Sequence, residues 1–217
     1  MTDDTESLIA RLTDGLQPVK RLPPPTMRAA IWLGIVALLG ALFVMRFANL
    51  AMFVHRIGDP RLALELTGTL LTGILAVIAA FELSLPDRPI TWSLLPAPSL
   101  VLWLGCSGFS CWRQWIVRGP AGLGKGETAD CFLWIVGFGV PLAVALFVVL
   151  RRSHPLSPGP VAAMAGLGVA SLAAFLLQFF HPFDVTLIDL GLHIAAVATV
   201  VILARTAAPR ALTPSNF

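Results

Sequence analysis

The 217-residue chain has no tyrosine, only three cysteines, and charged residues at 12%, where a soluble globular domain carries about 25%. That shortage of charge excludes an ordinary soluble domain, since too few polar side chains exist to cover one. Three cysteines in so apolar a chain do not make the disulfide scaffold of a small secreted fold. No basic run or stripe is present to neutralise phosphates, which excludes nucleic acid as a partner. The amino terminus is also wrong for a cleaved secretory signal. Asp3, Asp4 and Glu6 stand where a basic n-region belongs, and no apolar core follows closely. Catalytic signatures are missing too: there is no Ser-His-Asp set, no His-Glu-x-x-His, and no carboxylate pair at a recognisable spacing. We expect neither an enzyme nor a cofactor. The stretch Gly119 to Lys125 satisfies G-x-x-x-x-G-K but fails at Gly126, where a magnesium-binding hydroxyl is required, and no strand precedes it.

What is abundant is apolar: 57% of the residues are hydrophobic, with thirteen Phe and six Trp. A bilayer core of about 30 Å takes roughly 20 mostly apolar residues as helix, because lipid offers no partner to a free backbone group. Six stretches qualify, at Ala29 to Phe47, Leu62 to Leu83, Trp92 to Trp112, Cys131 to Leu150, Val161 to Phe180 and Val185 to Ala204. Pro96 and Pro98 interrupt the third, and a kink is expected near its start. Gly58-Asp59-Pro60, Pro86-Asp87-Arg88-Pro89, Ser153-His154-Pro155 and Ser157-Pro158-Gly159-Pro160 supply turns between antiparallel helices. Gly166 and Gly168, with Ala162, Ala163, Ala170 and Ala174, make a small-residue surface on the fifth span suited to close packing. The chain therefore reads as an all-α integral membrane bundle, with the lipid bilayer as its solvent. Its parts are a leader over residues 1–28, a six-span domain over 29–204 and a tail over 205–217.

An even number of spans puts both termini on one side. That side holds Arg11, Lys20, Arg21, Arg28, Arg88, Arg151, Arg152, Arg205 and Arg210. The other holds Arg46, Arg56, Arg61, Arg113, Arg118 and Lys125. Nine cations against six favour cytoplasmic termini by the positive-inside rule.

Polar residues inside spans are expensive and so draw attention to themselves. Glu65 and Glu82 are placed to bracket the apolar stretch of the second span at its two interfaces. Asp189 and His193, four apart, share a helix face and read first as a hydrogen-bonded pair. On the chosen topology His55, Glu65, Cys106, Cys111, Cys131, Gln178, His181, Asp184 and Asp189 gather near the outer helix ends, with His193 one turn deeper. Such a set suits reception of a metal or an oxidant, and Cys111 and Cys131 flank one loop where a disulfide is permitted. The ligand types are mixed and no Cys-x-x-Cys occurs, so no metal is assigned. A different use of the same groups is a small transporter or ion carrier working through Glu65, Asp189 and His193.

Ahead of the spans, Leu8, Ile9, Leu12 and Leu16 recur at helical spacing, with Arg11 and Asp14 between them and Gly15 as a stop. About three turns of amphipathic helix are marginal alone in water, so the apolar face needs a covering surface. Membrane-surface helices favour Lys and Arg. Here Asp3, Asp4, Glu6 and Asp14 stand against Arg11, which favours a protein partner.

This leader, LIARLTDGLQPVKRLPPP directly before the first span, resembles that of the NrsF-like multi-span anti-sigma factors, as do several later features. These are the six-span hydropathy, Cys131-Phe132-Leu133 opening the fourth span, Arg151-Arg152 closing it, and His181-Pro182-Phe183-Asp184 at the turn between the fifth and sixth. The resemblance implies a regulator that holds an extracytoplasmic-function sigma factor at the bacterial inner membrane and releases it on an envelope, metal or oxidative stress signal. It implies sigma-factor contact through Leu8, Ile9, Leu12, Leu16 and Val19, and an outward cysteine at Cys131. Many members have His-Cys where this chain has His181-Pro182, so a second cysteine is missing there. Expected signal-sensing residues are Cys106, Cys111, Cys131, His181, Asp184, Asp189 and His193.

Overall fold

A computed structural model describes residues 2–14, 16, 22–118, 128–180 and 187–212. Among these residues eight α-helices follow one another: α1 (Thr2–Thr13), α2 (Pro25–Phe47), α3 (Leu50–Arg56), α4 (Pro60–Leu83), α5 (Ala97–Arg118), α6 (Thr128–Leu150), α7 (Pro158–Leu177) and α8 (Leu187–Ala211). No strand occurs among the described residues. Six helices, α2 and α4 to α8, are long and apolar enough to cross a membrane, and they coincide with the six apolar stretches of the sequence.

Local chemistry explains the boundaries. Pro25, Pro60 and Pro158 each open a helix at its first turn, where the missing N–H has no intrahelical partner to lose. Asp59 caps α4 by accepting from the Arg61 N–H at 2.9 Å. The expected break in the third span is real. A 3₁₀ turn over Ile90–Leu94 precedes Pro96, and α5 proper starts at Ala97. Pro141 lies inside α6 and Pro209 in the last turns of α8. The last helix continues to Ala211, beyond the Ala204 expected from hydropathy, and the short α3 was not expected at all.

The core is organised around α7, which packs against α4, α6 and α8; α5 lies against α4 and α8, and α2 against α4. Of the α7 span 61% is buried, against 11% for α2, so α7 is the central post and α2 the peripheral helix. Glycines permit this crowding. A Cβ on Gly168 would stand 2.7 Å from Val77 Cγ2 and 3.1 Å from the Val77 N on α4, while one on Gly166 would meet Val201 Cα of α8 at 2.9 Å. Two residues apart on a helix, they face different neighbours, so the small-residue surface seats two helices. We expect Gly168→Leu to cost about 1 to 3 kcal/mol by overpacking, seen as a lower melting temperature in detergent and reduced accumulation. Gly137→Leu, where a side chain meets open space, should leave both unchanged.

Candidate functional site

Two ends of the bundle carry the chemistry, and α2 joins them. At the end where α2 begins, Arg28 is 8% exposed, a low value for a guanidinium on a peripheral helix. Its Nη1 donates to Ser153 Oγ at 2.7 Å and its Nη2 to the Val149 carbonyl at 2.9 Å. The guanidinium also stands over the Phe81 ring, 5.3 Å from the centroid. One side chain thus ties the first turn of α2 to the last turn of α6 and the last turn of α4. A cation at the carboxyl end of α6 is favoured twice, by an unused carbonyl and by the helix dipole. Sequence reading counted Arg28 only as a topological charge.

At the opposite end, Phe43 of α2 meets Phe138 at 5.4 Å and Trp134 at 6.0 Å on α6, and Phe180, just past α7, at 5.5 Å between ring centroids. Trp134 in turn packs on Phe138 at 4.5 Å and on Phe180 at 4.9 Å. Alongside α2 runs an apolar groove of about 500 Å³, with Val36, Gly40 and Met45 on one side and Ile74, Leu172 and Phe175 on the other. The helix is thus fastened at both ends and flanked by a groove along its length.

Cys131 lies in the first turn of α6, three residues before Trp134, and is fully buried. Cys111 on α5 is 1% exposed and Cys106 half-buried. All three are present as thiols, so the disulfide that was open between Cys111 and Cys131 is not formed. Around Cys111 the helices bring together part of the polar set read from sequence. Ser110 Oγ donates to Glu65 Oε1 at 3.0 Å, and the carboxylates of Glu65 and Asp189 both lie within electrostatic reach of the Cys111 sulfur. His193 Nδ1 donates to the main-chain carbonyl of Asp189 at 2.7 Å; a carbonyl only accepts, so Nδ1 carries the proton. The contact seen between these two residues thus runs to the backbone, where a pairing of side chains was expected. Among the described residues, no three of His, Cys, Asp and Glu converge as metal ligands. His181, Asp184 and Val19 lie outside the described residues.

The acids of α4 are buried at opposite ends of that helix, each with a partner. Glu65 accepts from Ser110, and Glu82 pairs with Arg88 at 3.1 Å. Hydroxyls along the α4–α5 seam bond locally: Thr69 to the Glu65 carbonyl at 2.6 Å, Thr72 to the Gly68 carbonyl at 2.7 Å, with Ser99 at 3.1 Å from Thr72. From Ala76 to Phe81 the helix buries Ala76, Val77, Ala79, Ala80 and Phe81 completely, an apolar plug between the two acids.

Of the leader residues, Leu8, Ile9 and Leu12 lie on α1 and Leu16 three residues beyond its end. They are 53%, 49%, 67% and 72% exposed respectively. A family model described as NrsF, negative regulator of sigma F, matches residues 12–213. No curated protein and no solved structure matches the chain.

Proposed function

Because the chain belongs to the NrsF family of negative regulators of sigma F, we propose that it is a multi-pass anti-sigma factor of the bacterial inner membrane with both termini cytoplasmic. Its leader sequesters an extracytoplasmic-function sigma factor, and its bundle releases that partner on an envelope, metal or oxidative stress signal. The observation that carries this reading is the stripe of Leu8, Ile9, Leu12 and Leu16, about half or more exposed on a helix too short to be stable alone. An apolar groove on the sigma factor would cover it in the helix-in-groove manner. Val19 is proposed as a further contact residue on the family resemblance alone. Membrane residence is supported by the belt of exposed aliphatics on α2, including Ile35, Leu38 and Leu39, which exceeds what a water-facing surface tolerates.

The regulator reading is favoured over transport by the plug of Ala76 to Phe81, which separates Glu65 from Glu82. In the signalling mechanism, Cys131 is the receiving group, with Cys106, Cys111, His181, Asp184, Asp189 and His193 as the proposed sensing set around it in function. A thiol with no exposed surface cannot take on an adduct and stay where it is, so modification has to displace the first turn of α6. Trp134 and Phe43 pass that displacement to α2, whose amino end bears the leader. A signal acts only through a difference between two states, and a helix fastened at two points supplies the two states.

The test is capture and topology together. A peptide of residues 1–26 should retain the cognate sigma factor, and the chain lacking those residues should not. Single cysteines introduced at Arg118 or Lys125 should react from outside spheroplasts, and those at Asp87 or Ser153 should not. Outside labelling at Asp87 would invert the topology and end both the sensing and the sequestration proposals.

A further inference from the structure

The outer face of the bundle between α6 and α8 carries a second groove, of about 610 Å³. Ala143 and Ala204 form its floor, Val144 and Val148 one wall, and Leu203 and Ala207 the other. Its lining runs along α6 from Val140 to Arg151 and along α8 from Val200 to Ala211, which at the helical rise is about 16 Å. That is the depth of one leaflet, half of a hydrocarbon core of about 30 Å. The mouth is different in kind. Arg151 and Arg210 stand there, both exposed, and among the described residues no carboxylate pairs with either. Repulsion between two such cations is relieved by an anion placed between them, and guanidinium groups grip phosphate oxygens through paired N–H donors.

We propose that this groove is a binding site for an anionic glycerophospholipid of the inner leaflet, with one acyl chain lying between α6 and α8 and its phosphate held by Arg151 and Arg210. The inference rests on the membrane reading and topology given above but on neither the sigma factor nor the signal. Three features agree on one occupant. The apolar trough is the length of an acyl chain in a single leaflet, the paired cations sit at headgroup level, and they belong to the end assigned to the cytoplasm, where basic pockets between helices collect acidic headgroups. A zwitterionic lipid would fill the trough equally well but would set its own ammonium against the arginines. The site adjoins Arg28 through the last turn of α6, since Val149 and Ser153 receive Arg28 and Arg151 lies between them. A bound headgroup therefore steadies the same turn that fastens α2.

Native mass spectrometry of the full chain in detergent, titrated with phosphatidylglycerol or with phosphatidylcholine of the same acyl chains, tests this. The expected preference for phosphatidylglycerol is about 30-fold in apparent Kd, from two cations near the headgroup. The double variant Arg151→Gln with Arg210→Gln should abolish the preference, while Arg113→Gln at the opposite end should keep it. Ala207→Phe, which leaves both arginines and fills the trough, should weaken retention of both lipids. Equal retention of the two lipids by the native chain, or a preference that survives the double arginine variant, would overturn the proposal. So would undiminished retention by Ala207→Phe, since the lipid would then be held by surface charge alone. Release of the native chain from membranes by carbonate would defeat the membrane reading itself, a result distinct from any of these.

Discussion

Leu12→Asp is expected to raise sigma-dependent transcription in unstressed cells to nearly the level of a strain lacking the regulator, with the protein still present in the membrane in normal amount. Leu12 is the middle of the leader's apolar stripe and is 67% exposed, so nothing in the bundle depends on it. Helix-in-groove partners concentrate their affinity in such central anchors, and truncation to Ala should cost roughly 1 to 3 kcal/mol, about 5- to 150-fold in Kd. Aspartate costs more, because an unpaired carboxylate would have to be buried where the leucine was. Leu16→Asp, outside the helix proper, should have the smaller effect of the two. Full repression by the Leu12→Asp protein would show that the leader is not the main binding element. Loss of the protein from the membrane would show that the leader serves the bundle's own folding.

The number and order of the spanning helices were legible in the sequence because hydropathy integrates over some twenty residues and is insensitive to local detail. For the same reason it hid the rest. Pro141 stands in a stretch so apolar that no window registers it, and α3, seven residues long, reads as connector because its apolar residues are too few to form a span. The end of α8 was placed early because Arg205 interrupts the apolar run while the backbone simply continues to Ala211. At the candidate site, side-chain types were visible and their partners were not. Glu65 was seen as an acid at a helix end, but its neighbour Ser110 is forty-five residues away and only the packing of α4 on α5 brings them together. Asp189 and His193 share a face, as spacing requires, yet the ring reaches back to the carbonyl. The aromatic cluster of Phe43, Trp134, Phe138 and Phe180 had no periodicity of its own to betray it.

Arg28 is where that blindness matters most, and the second large effect is expected there. Arg28→Met keeps an unbranched apolar stem while removing both donors and the cation over the Phe81 ring, and it should raise sigma-dependent transcription in the absence of any signal. The side chain joins α2 to α6 by two hydrogen bonds across 121 and 125 residues of sequence, and it does so beside Ala29 and Trp32, which α2 buries in the core. A buried pair of bonds from a charged donor contributes on the order of 2 kcal/mol, and its loss would shift the balance between fastened and released α2 by about 30-fold. The leader itself is untouched, so a peptide of residues 1–26 keeps its affinity while the full-length variant loses its hold on the sigma factor. Arg28→Lys retains the charge and one of the two bonds and should fall between native and Met. The proposed binding stripe and the proposed positioning residue are thereby separable: Leu12→Asp should abolish capture by the peptide, and Arg28→Met should leave it intact. Unchanged repression and an unchanged signal response in Arg28→Met would mean that the amino end of α2 does not move in signalling, and the coupling from Cys131 through Trp134 and Phe43 would have to reach the leader by another route.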